Sequence, residues 1–85
     1  MSSLGLYLRG LREATGMSLD DIARSTRVGR RHLEALESDT FEELPAPVFV
    51  KGFIRAYCEF LDASPDEALG LYRETPGGAA SAPGP

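Results

Sequence analysis

The strongest constraint on what this chain can fold into is the apolar run over residues 47–61, which holds more hydrophobic surface than one face of a small helix needs. Placed at about 100° per residue, Val50, Ile54, Tyr57 and Leu61 form one stripe, enough to face the core of a small bundle. Phe49, Phe53 and Phe60 share an adjoining stripe, with Gly52 and Ala56 beside them as a low shelf of small residues. Lys51 and Arg55 stand on the opposite side, so they cannot cover the phenylalanines. Two readings stay open at this point. The helix is central and buries both stripes, or the second stripe is an exposed aromatic patch for a protein partner or for a weak pairing with its own copy. Pro47 opens the run, in the first turn of a helix, where a missing N–H forfeits no hydrogen bond.

The remaining segments are shorter and also helical in period. Leu4, Tyr7, Leu8, Leu11 and Ala14 predict a first helix over residues 3–15, stopped by Gly16 and locally weakened by Gly5 and Gly10. Ser18 with Asp21 resembles a capping box for a short second helix that buries Leu19, Ile22 and Ala23 and ends near Ser25. After a tight connection, Leu33 and Leu36 mark a third helix over residues 30–37. An acidic connector over residues 38–45 is pinned to the core by Phe41 and Leu44. Ser64 as cap, Pro65 at the first helical position and Glu67 completing the box start a fifth helix, which runs through Leu69 and Tyr72 to about Arg73. The expected architecture is all-α, a compact five-helix bundle over residues 1–74. From Thr75 onward only Thr, Pro, Gly, Ala and Ser occur, so residues 75–85 read as a flexible linker or tail.

Size and residue usage narrow the function classes. Eighty-five residues is one domain, and a domain of this size buries only about 60% of its unfolded surface, leaving little packing to give up for a large substrate cavity. A binding module is expected rather than an enzyme. The single cysteine, Cys58, excludes an internal disulfide, and with one histidine, His32, neither a metal site nor a nucleophilic or paired-carboxylate catalytic arrangement can be assembled. No cofactor is implied. Nowhere do about 18 consecutive apolar residues occur, and the N-terminus lacks the pattern of a signal peptide. The chain reads as cytoplasmic, touching a membrane only through a spanning helix outside this sequence.

Leu19, Ile22, Ala23, Val28, Leu33 and Leu36 fall in the order of a helix-turn-helix of the phage-repressor-like kind. Ala23 takes the small-residue place where the two helices cross, and Val28, Leu33 and Leu36 pin the second of them. Arg27 stands where a turn glycine is usual, which puts the turn geometry in question because a side chain disfavours positive φ. If the third helix entered a major groove, Arg30 and Arg31, helped by Arg24 and Arg27, would make the contacts. The plainer alternative pairs Arg30 with Glu34 on one helix face. Charge weighs against readout. Arg9, Arg12, Arg24, Arg27, Arg30 and Arg31 against Glu13, Asp20 and Asp21 leave a net +3 up to Arg31, and the rest carries −7, within a total of −4. Glu34, Glu37, Asp39, Glu42 and Glu43 would face a polyanion at close range, so nucleic-acid binding is expected to be weak or absent.

Taken together, Leu11-Arg12-Glu13-Ala14, Ser18-Leu19-Asp20-Asp21-Ile22-Ala23, His32-Leu33-Glu34-Ala35-Leu36-Glu37 and above all the stretch from Pro47 to Tyr57 resemble the cytoplasmic N-terminal domain of the RodZ family of bacterial cell-shape proteins. The resemblance covers about residues 4 to 73, and its discriminating part is the helix-four run. It implies a five-helix domain that binds the bacterial actin homologue MreB through helix four and links the filament to the membrane. Two aromatic residues four apart contact the filament in that family, and the matching positions are Phe49 and Phe53. It also implies that the tail begins a linker toward a membrane-spanning helix.

Overall fold

Capping chemistry sets the boundaries of several of the elements. The computed structural model describes residues 3–74, and their order is α1 (Leu4–Thr15), α2 (Leu19–Thr26), α3 (Arg30–Glu37), a single 3₁₀ turn (Phe41–Glu43), α4 (Pro47–Phe60) and α5 (Pro65–Glu74). The linker expected over 75–85 lies outside the described residues. Ser3 caps α1 by accepting from the Leu6 N–H at 3.1 Å, and Gly16 ends it in the left-handed region at φ 73°. Ser18 and Asp21 form the expected capping box at α2. At α5, Ser64 Oγ accepts from the Asp66 N–H at 3.3 Å.

The turn between α2 and α3 keeps its shape without the usual glycine. Arg27 itself takes the left-handed conformation at φ 64°, and its N–H closes onto the Ala23 carbonyl at 2.9 Å. Thr26 supports the turn from the inside: its hydroxyl donates to the Ile22 carbonyl at 2.7 Å and accepts from the Val28 N–H at 3.2 Å. α2 runs to Thr26, one residue past the expected end at Ser25.

One continuous core joins all five helices, with Leu8, Ile22, Leu33, Leu36, Ile54 and Tyr57 fully buried at its centre. Removing each such side chain from water contributes about 1.5–3 kcal/mol. The main neighbours of α4 are α5 and α2, while α1 lies against α3 and α5. Phe41 and Leu44 pin the connector as expected, Phe41 meeting Tyr72 edge-on with ring centroids 5.8 Å apart. At Gly5, α1 touches the end of α3: a Cβ there would lie 2.7 Å from the Glu37 carbonyl carbon and 2.9 Å from Asp39 Oδ2. Gly5 is therefore a close-approach position in addition to a weak point in the helix.

Candidate partner-docking surface on α4

The core stripe of α4 is buried as its period requires, through Val50, Ile54, Tyr57 and Cys58. The adjoining stripe divides. Phe49 is 58% exposed, and Gly52 faces solvent with nothing within 4 Å of where its Cβ would be. Phe53, Ala56 and Phe60 are half-buried and pack on the edge of the core. The exposed part of the stripe is thus its N-terminal end, and Val48, the residue before Phe49 but about 100° round the helix toward Arg55, is also exposed, at 70%. Sequence reasoning missed Val48, although it lies on the side of the wheel away from the core stripe and no neighbour in the pattern covers it.

A second element reaches this surface. The His32 ring, from the first turn of α3, stacks on the ring of Phe53 with centroids 5.1 Å apart and planes 20° from parallel. The structure therefore brings Phe53 and His32 together and leaves Phe49 free at the next turn.

The charges near α3 are more committed than their sequence positions indicate. Arg30 donates to Asp20 at 2.6 Å and to Glu34 at 3.0 Å, so the plainer alternative for this residue holds. Its hydrogen bond to Asp20, then that to Glu34, holds its pKa above the usual guanidinium value. Arg27 and Arg31 are exposed, with no ion pair among the described residues. The expected acidic face needs correction. Glu37, with its side chain only 7% exposed, is gripped by Arg12, and Asp39 accepts from Ser3 Oγ at 2.7 Å and from the Gly5 N–H at 2.9 Å. Both carboxylates hold α1 to the end of α3, because each found a donor more than 20 residues away. Only Glu34, Glu42 and Glu43 of that set stay exposed.

The remaining chemistry is inert or already used. Burial pushes the Cys58 thiol up to about 11, well above the range in which a thiolate forms at neutral pH. A shallow cleft of about 210 Å³ between α1, α2 and α3 is lined by Arg9, Arg12, Leu19, Glu34, Glu37 and Ser38, several of which are paired with one another or nearby. Among the described residues there is no group of three metal-binding side chains, and no helix is long and apolar enough to cross a membrane.

The capped helix α2, the tight turn at Arg27 and the helix α3 packed against α2 define a helix-turn-helix domain. A family model described by that name matches residues 7–68, and the chain belongs to this family. Within it, the chain is homologous to RodZ: the cytoskeleton protein RodZ of Streptococcus pneumoniae is 31% identical over 70 residues, 82% of this chain and 25% of that protein. The cell-shape protein RodZ, solved in complex with the bacterial actin MreB, superposes with a TM-score of 0.78 at 38% identity, covering 84% of this chain and 87% of the other. YmfM of Staphylococcus aureus, described as a proposed DNA-binding membrane protein, superposes with a TM-score of 0.79 at 28% identity, over 94% and 99% of the two chains. The chain spans between 18% and 25% of the length of the curated relatives it matches.

Proposed function

We propose that this domain is a non-catalytic cytoplasmic adaptor that docks on MreB filaments through the N-terminal half of α4 and its aromatic flank. The observation that carries this reading is the likeness, at 38% identity, to the RodZ domain solved with MreB. The exposure of Phe49 and Val48 supports its placement on α4. An exposed aromatic side chain on a rigid helix is a good interface anchor, because it brings large apolar area with little conformational freedom to lose. Gly52, one turn from Phe49 and without a side chain, lets a partner surface approach the helix backbone beside the ring. Phe53, Ala56 and Phe60 extend the apolar flank as a half-buried floor.

Nucleic acid is the weaker partner. Two of the first three residues of α3 are engaged, Arg30 with carboxylates and His32 with Phe53, which leaves Arg31, with Arg24 and Arg27 before it, to meet phosphates. Co-sedimentation with MreB filaments, run beside a DNA mobility-shift assay near 0.15 M salt, tests the reading. Saturable pelleting with filaments and weak, salt-sensitive DNA binding are expected. A tight, sequence-selective shift lost in Arg31→Ala, with no pelleting, would overturn it in favour of a DNA-binding regulator.

A further inference from the structure

We infer that His32 is a positioning residue for this docking surface: from the start of α3 it holds the Phe53 ring in the orientation that the partner meets. The inference rests on the docking reading above and adds to it a residue from a different helix. His32 is mounted on a rigid support, since the next residue, Leu33, is fully buried, and α3 is tied at its far end through Glu37 to Arg12. Its ring lies nearly parallel to that of Phe53, at a centroid separation of 5.1 Å, inside the range of offset stacking. Phe53 is only half-buried, so the core alone does not enclose its ring, and the imidazole closes one of its faces. Phe53 is also four residues from Phe49 on α4, so its orientation shapes the wall beside the most exposed ring of the flank.

Without the stack, Phe53 regains rotamer freedom that the partner must remove on binding. That immobilisation corresponds to about a three- to tenfold loss of affinity. The role requires a flat ring at position 32 and does not require its nitrogens.

The test compares His32→Gln, which keeps a polar side chain without an aromatic ring, with His32→Phe, which keeps a ring without the nitrogens. Each is made in the 85-residue chain, and affinity for MreB filaments is measured by co-sedimentation beside thermal melts. His32→Gln is expected to bind about three- to tenfold more weakly and His32→Phe within twofold of the original, with both proteins folded. If His32→Gln binds like the original while Phe49→Ala loses binding, the positioning role is wrong and the docking reading stands. Equal losses in His32→Gln and His32→Phe would also overturn it, because they would make the imidazole a direct polar contact. If Phe49→Ala, Phe53→Ala and both His32 variants all bind unchanged, the docking reading itself fails.

Discussion

Arg12 grips Glu37 with two hydrogen bonds, Nε to Oε2 at 2.7 Å and Nη2 to Oε1 at 3.0 Å, across 25 residues of chain. The Tyr57 hydroxyl reaches the same carboxylate and the Leu8 carbonyl, and Arg12 also donates to the Met17 carbonyl at 3.1 Å. One cluster thus ties α1 and α3 to α4, the helix of the proposed docking surface. Burial, followed by the hydrogen bond to Glu37, raises the Tyr57 hydroxyl far above its ordinary pKa, so it stays a neutral donor. Removing one partner leaves the other, largely covered by protein, without its ion-pair partner. Arg12→Ala and Glu37→Ala should each cost about 3 kcal/mol in urea unfolding, whereas Arg12→Met with Glu37→Leu should recover most of that. Single losses below about 1 kcal/mol would mean that the pair behaves like a surface ion pair.

Gly5 and Gly10 occupy the same helix and make opposite predictions. A methyl group at position 5 would collide with the Glu37 carbonyl group, which is backbone and cannot swing away. Gly5→Ala should therefore lower stability by about 2 kcal/mol despite the better helix propensity of alanine. At position 10 nothing lies within 4 Å, so Gly10→Ala should gain up to about 1 kcal/mol. Thermal melts of the two variants side by side check both signs, and a Gly5→Ala protein as stable as Gly10→Ala would show that α1 can move off α3 freely.

The capping box of α2 makes the stability of that helix depend on acid. The Ser18 N–H, donating to Asp21 Oδ2 at 3.2 Å, is the main cause that holds the Asp21 carboxyl below its ordinary value of 3.8. A depressed carboxyl contributes stability that is present above the unfolded value and lost as pH falls through the folded one. As pH falls below the ordinary carboxyl range, α2 should therefore loosen as Asp21 is protonated, which amide exchange at Ile22 and Ala23 would report. Asp21→Ala should remove that step from the pH profile. A carboxyl titration of Asp21 with its midpoint above 3.8 would contradict the box.

Local chemistry was the legible part of this fold. Ser18 with Asp21, Gly16, and Pro47 at the head of α4 each act within one helical turn, so spacing alone exposes them. Arg27 is harder to read, since as the left-handed cap of α2 it takes a positive φ that opposes its own side-chain preference. Glu37 and Asp39 were misread as free surface charge, because their donors, Arg12, Ser3 and the Gly5 N–H, are remote in sequence. The aromatic stripe was visible on the wheel, but its division was not. A wheel places Phe49, Phe53 and Phe60 together, whereas their exposure depends on what α3 and the core bring to each one.

That division predicts different fates for the two aromatic residues four apart. Phe49 is 58% exposed and contributes little to the core, so Phe49→Ala should change stability by less than about 0.5 kcal/mol. Its loss from the interface should weaken filament binding by about 1–3 kcal/mol. Phe53 packs on the core and against His32, so Phe53→Ala should cost about 1–2 kcal/mol of stability in addition to a comparable loss of binding. Urea unfolding and co-sedimentation on the same protein preparations separate the two effects. If Phe49→Ala unfolds as readily as Phe53→Ala, its ring is a core element. If it is fully stable and still binds like the original, the filament meets some other face, and the exposed Val48–Phe49 end of α4 must be assigned elsewhere.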